Sequence, residues 1–163
     1  SQTINKKKSQ NSIHQNMDLM NPTYRKYCER IIRKMMERYA KNPAIIGFQV
    51  DNEVEARSID NQDYFEGFRD YIKEQFHNNL DSLNRRWGLN YWGMNINSWD
   101  EFYDRKGVTN PSYKLWWERW NRKVTADFLN FQADIVKEYM RKDQFITHCF
   151  MPYFCNIDHR KIL

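Results

Sequence analysis

The sequence is short of the residues that make loops. Five glycines and four prolines in 163 residues leave little room for disordered or low-complexity chain. Cysteine is scarce too: Cys28, Cys149 and Cys155 make an odd number, with no C-x-x-C pair. That excludes a disulfide framework of the small secreted kind and gives a zinc site no support. Cys28 on a helical face and Cys149 in an apolar run read as core thiols. No apolar run is long enough to span a bilayer and no signal peptide is visible, so no membrane partner is expected and the expected location is cytoplasmic. A basic stripe is missing as well. The net charge is +5, but Lys6, Lys7 and Lys8 gather part of it in a polar N-terminal stretch. Elsewhere acids and bases interleave, so nucleic acid is not an expected partner.

What the chain does have is aromatic surface: six Trp, ten Tyr and ten Phe, 16% of the residues. The length suffices for one domain with a core, and is equally the size of a piece of something larger. Residues 1–20 are polar and aperiodic, a loop or frayed end. Asn21-Pro22 then has the signature of a helix start. Tyr24, Tyr27, Cys28, Ile31, Ile32, Met35 and Tyr39 form one apolar stripe, ending near Lys41 before Asn42-Pro43. Ala44 to Val50 fits a buried parallel strand. A second helix begins near Asn61, with Phe65, Phe68, Ile72 and Phe76 on its inner face. A short helix through Leu83 and Trp87 ends at Gly88. Ser98 and Glu101 have capping-box spacing, which predicts another short helix. Asn110-Pro111 opens the longest helix, reaching about Arg141, with Leu115, Trp116, Trp120, Val124, Phe128, Phe131, Ile135 and Tyr139 facing in. Phe145 to Met151 is the second strand candidate. Strands alternating with helices indicate an α/β chain of parallel β/α units. Two strands alone would leave unpaired edges, so the sheet is completed from elsewhere or the chain is part of a longer β/α protein.

The first strand ends oddly. Ile45 to Val50 runs straight into Asp51-Asn52-Glu53, with no turn residue between. In parallel β/α folds function gathers at the carboxyl ends of strands. A carboxyl such as Glu53, partly withdrawn from water there, would have a raised pKa and could donate a proton near neutrality. Asn52 offers a donor and an acceptor, suited to hydroxyl groups. Asp51 could be a buried partner or a loop cap. The plainer reading is that all three are loop residues, since acids often follow strands.

The flanking residues sharpen this. NPTYRKYCERIIRKMMERYAKNPAIIGFQVDNEV resembles the glycoside hydrolase family 42 β-galactosidases, which carry N-P-A or H-P-A before a strand ending in D-N-E. Here the order is Tyr39, Asn42-Pro43-Ala44, then Asp51-Asn52-Glu53. LNRRWG (83–88) is similar to the family's L-N-x-x-W-G, and SWDEFY (98–103) falls in its aromatic-rich loop region. ITHCFM (146–151) looks like a variant of its strand T-T-N-F-M. The resemblance covers roughly Asn21 to Met151. It implies part of a (β/α)8 TIM barrel, about the fourth and fifth strands with their helices. It also implies a β-galactoside substrate, hydrolysis with retention, and a homo-oligomer, often a trimer. Glu53 matches the family's general acid/base, and Asn52 the amide beside it that binds the sugar's 2-hydroxyl. The family's nucleophile lies on a later strand, so the 163 residues alone are expected to be inactive. No cofactor is implied.

Two departures bear on the site. The loop VEARSIDNQ lacks the cysteine cluster that binds zinc in many relatives, so no metal is expected. Cys149 stands where T-T-N-F-M has Asn, which touches the sugar-binding pattern. A related barrel glycosidase, or one that binds carbohydrate without cleaving it, is therefore the alternative reading. Among the aromatics, Trp92 and Trp99 are the expected exposed pair for stacking on a sugar. Trp116 belongs to a helical stripe, and Trp117 follows it. Glu55 reads as structural or solvated. Of the histidines, none with ligand spacing, only His148 lies on a strand.

Overall fold

Among the described residues, an asparagine side chain begins each of the four α-helices. The computed structural model describes residues 17–56, 59, 61–102, 110–150 and 157–162. Helix α1 (Pro22–Tyr39) opens on Asn21, whose side chain accepts from the Tyr24 N–H, with Pro22 in the first turn. Strand β1 (Gly47–Asn52) follows. Asn61 caps α2 (Gln62–Gln75), and Asn79 caps α3 (Leu80–Trp87), which closes on left-handed Gly88, φ 65°. Asn110 caps α4 (Pro111–Lys137), and β2 (Phe145–Cys149) comes after it. Three single 3-10 turns, Tyr91–Gly93, Trp99–Glu101 and His159–Lys161, lie in the connections. β1 and β2 pair in parallel, Gly47 opposite Phe145 and Gln49 opposite Thr147, joined by the crossover through α4.

Helix α4 organises the rest. Its 27 residues span about 40 Å at 1.5 Å per residue. The C-terminal half packs on β1 and α1, the N-terminal half on α2 and α3. It is therefore buried on more than one face: Leu129, Ala133 and Val136 join Trp120, Val124 and Phe128 in the core. The Trp120 indole lies against Gly67 of α2, where an added Cβ would come 2.9 Å from the ring. Glycine in mid-helix is the cost of that close approach.

Several expectations need correcting. The first strand runs Gly47–Asn52, not Ala44–Val50, because the pairing with β2 starts only at Gly47 and continues past Val50. The longest helix stops at Lys137 rather than near Arg141. Leu115, expected inside, is exposed. The stripe on α1 is split: Tyr24, Cys28 and Ile32 pack on the core, while Tyr27, Ile31, Met35 and Tyr39 are exposed. Ser98 makes no capping bond; Glu101 Oε2 instead accepts from the Asn97 N–H at 2.7 Å, and only a 3-10 turn forms. Both Cys28 and Cys149 are half-buried rather than core thiols. Residues 17–20 are no frayed end: Leu19 is buried, Arg25 Nε donates to its carbonyl at 2.6 Å, and Asp18 accepts from Asn61 at 2.8 Å. Residues 1–16, most of the expected loop, lie outside the described residues.

Candidate active site

The carboxyl end of β1 does not finish as a regular strand. The register shifts between Gln49 and Asn52, so one strand carries an extra residue against the other. Asp51 (φ 54°) and Glu53 (φ 52°) both adopt left-handed backbone. For residues with a Cβ this conformation is strained, and it persists only where surrounding bonds hold it.

Those bonds are visible. Asp51 Oδ1 accepts from the Asn52 N–H at 2.7 Å, and its Oδ2 accepts from Gln132 Nε2 on α4 at 2.9 Å. The Asp51 carboxylate thus ties the corner to the helix that crosses behind it. The Val50 carbonyl, displaced from the ladder by the bulge, accepts from His148 Nδ1 on β2 at 2.6 Å. A carbonyl cannot donate, so His148 carries its proton on Nδ1. Its Nε2 is buried without a partner among the described residues. The Glu53 N–H donates to the Cys149 carbonyl at 3.0 Å, which brings the acid alongside the end of β2. Just beyond, the Ala56 N–H donates to Thr125 Oγ1 at 2.9 Å, and Thr125 donates to the Asn121 carbonyl.

The result is a half-buried Glu53 next to an exposed Asn52 at the carboxyl edge of a parallel pair. The sheet face turned away from α4 is bare: Gln49, Asn52, Phe145 and Thr147 are exposed along it. Gln49 Nε2 donates to the Asp51 carbonyl at 2.9 Å and to Asn52 Oδ1 at 3.2 Å, so the Asn52 amide lies on that bare face. A carboxyl that can give or take a proton therefore stands beside an amide that can hold a hydroxyl. Glu55 is half-buried in the following loop, of which Arg57, Ser58 and Asp60 lie outside the described residues. Among the described residues, no three His, Cys, Asp or Glu side chains gather as metal ligands.

Of the aromatic candidates, Trp99 lies elsewhere. Trp99 is half-buried rather than exposed. Its indole N–H donates to Asn78 at 2.7 Å, and its ring sits 6.2 Å from Phe102. Phe102 in turn packs 6.2 Å from Tyr113, at the start of α4. Along α4, Tyr113 stands about 28 Å from Gln132, which touches Asp51. Trp99 thus belongs to a cluster far from the corner. Trp92 falls in the 3-10 turn Tyr91–Gly93, its side chain outside the described part. Trp116 and Trp117 pack within the same cluster, against Phe76 and Phe68. Sequence reasoning missed Gln49 and Gln132. Gln49 had a signal: it is the one polar residue in the apolar run of Ile45 to Val50. Gln132, a polar residue on an inward helical position, had the same one.

The family model for β-galactosidases, glycoside hydrolase family 42, matches residues 1–163, including the polar stretch before α1. The β-galactosidase BgaA of Clostridium cellulovorans is 32% identical over 126 residues, covering 76% of this chain and 19% of its own. The β-galactosidase BgaH of Haloferax lucentense is 30% identical over 139 residues, covering 82% of this chain and 21% of its own. The chain thus spans about a fifth of the length of these curated relatives. The crystal structure of a cold-adapted β-galactosidase from Rahnella superposes with a TM-score of 0.81 at 26% identity, over 90% of this chain and 22% of that one. A β-galactosidase from the psychrophilic Marinomonas ef1 gives 0.77 at 28%, over 88% and 22%. The two parallel strands and their crossover helix are thereby part of a (β/α)8 barrel, and the bare sheet face is the side such a barrel encloses. With the family model over its whole length, the chain belongs to the glycoside hydrolase family 42 β-galactosidases.

Proposed function

We propose that the protein carrying this chain hydrolyses terminal β-D-galactosides with retention, and that Glu53 is its general acid/base. The observation that supports this most is the strained Asp51-Asn52-Glu53 corner at the carboxyl end of a parallel strand, where barrel enzymes hold their chemistry. Retention needs a second carboxylate about 5 to 5.5 Å from the first. Among the strands of the barrel, one beyond β1 and β2 supplies it. In the first step that carboxylate attacks the anomeric carbon while Glu53 gives its proton to the leaving oxygen. In the second, Glu53 takes a proton from water, whose oxygen displaces the enzyme carboxylate and frees galactose. Asn52 holds the sugar's 2-hydroxyl through both steps. Trp92 is a sugar platform in this reading. Trp99 is not, because its indole is committed to Asn78 and its ring to the aromatic cluster.

The test compares leaving groups in the full-length enzyme. Dinitrophenolate departs without a proton, whereas the sugar leaving from a disaccharide needs one. Glu53→Gln is expected to lower turnover of lactose by about 100- to 10,000-fold. The first step on the dinitrophenyl galactoside, read as the burst of phenolate, should change far less. Equal losses on both substrates would refute the assignment of Glu53.

A further inference from the structure

We propose that Gln49 is a positioning residue that decides which end of the Asn52 amide faces the substrate; this rests on the reading of Asn52 as the contact to the sugar's 2-hydroxyl. The Asp51 carbonyl can only accept, so the Gln49 amide 2.9 Å away presents its Nε2 there. The same Nε2 lies 3.2 Å from the Asn52 amide. Two NH2 groups cannot pair, so Asn52 turns its Oδ1 to Gln49. Its Nδ2 then points away from Gln49 and makes no hydrogen bond among the described residues.

The chain of constraint runs from a backbone carbonyl, through Gln49, to the outward NH2 of Asn52. Gln49 is itself fixed in the paired part of β1, opposite Thr147. The corner cannot drift to accommodate a flipped amide, because the Asn52 N–H is held by Asp51 and Asp51 by Gln132. An outward NH2 donates to the oxygen of the sugar hydroxyl. That hydroxyl keeps its own proton for another acceptor in the site. Gln49 therefore acts on the reaction only through Asn52 and never touches the sugar.

The experiment uses the full-length enzyme with 4-nitrophenyl β-galactoside and its 2-deoxy analogue, which lacks the oxygen Asn52 would meet. Gln49→Glu keeps the shape but leaves only acceptors facing the Asp51 carbonyl and Asn52 Oδ1, which favours the flipped amide. Its kcat on the parent substrate is expected to fall at least about tenfold, with KM changed less than about twofold, since the 2-hydroxyl bond strengthens in the transition state. On the 2-deoxy analogue the fall should stay within about twofold. Gln49→Met removes the hydrogen bonds without repulsion and serves where the carboxylate variant does not fold; about fivefold is expected on the parent substrate alone. Equal losses on both substrates, or no loss in either variant, would overturn the role of Gln49. A wild-type enzyme without turnover of the parent substrate would overturn the galactosidase reading itself.

Discussion

The two halves of α4 serve different ends. The N-terminal half stands in a mesh of rings: Phe68 alone lies 4.9 Å from Trp117, 5.4 Å from Tyr113 and 5.8 Å from Phe102. Left-handed backbone there falls on His77 and Asn78, in the exposed turn between α2 and α3, and the polar contacts, such as Asn84 pairing both the N–H and carbonyl of Ile96, close loops. The C-terminal half backs the sheet. There the helix offers Thr125 and Gln132, two buried polar side chains, to a segment with two left-handed residues. One half stores stability in apolar area. The other uses hydrogen bonds to hold an unfavourable shape, which is what a site for chemistry requires.

Truncations should separate the two halves. The largest effect belongs to the ring mesh: Phe68→Ala should cost about 3–5 kcal/mol in urea unfolding, because the cavity is walled by rings that cannot collapse. The strain-holding half should respond less in stability. Thr125→Val keeps the shape but leaves the buried Ala56 N–H without its acceptor, for about 1–3 kcal/mol in the same measurement. A ranking the other way round would break the comparison.

A smaller, pH-dependent effect lies where α1 meets α4. Burial first, then the Cys28 thiol and the charge of Asp51, push the Tyr24 phenol up to about 12. Burial raises Tyr64 and Tyr71 in the same direction. The folded state thus favours neutral phenols. Their contribution is complete below the unfolded value of about 10 and is lost as pH rises through the folded values. Thermal midpoints should therefore fall above pH 10. Tyr24→Phe should shallow that fall between pH 10 and 12 while leaving the midpoint near neutrality almost unchanged. An unchanged alkaline slope would mean that the Tyr24 ring, stacked 5.8 Å from Phe128, is not held in the folded state as described.

The same division explains what could be read from residue order. Asn21, Asn61 and Asn110 mark helix starts because a cap is a local event, decided by three or four neighbours. Gly88 ends α3 for the same reason. The parallel pairing followed from alternation of strand and helix patterns. The split stripe on α1 was not legible: apolar spacing tells that Tyr27 and Ile31 want cover, not which neighbour supplies it. Nor was the strained corner, because left-handed backbone is signalled by glycine and here falls on Asp51 and Glu53. The place of Asn52 and Glu53 at a strand end was legible; the glutamines that hold Asn52 and Asp51 were not, since their partners are set by the bulge and by α4.

In the proposed mechanism Glu53 moves the proton in both steps. Removing it leaves the second step without a base, and a small anion can replace the attacking water without needing one. In the full-length enzyme, Glu53→Ala with an activated aryl galactoside should be restored by azide and yield β-galactosyl azide. An α-galactosyl azide, or a variant that azide does not rescue, would contradict the account.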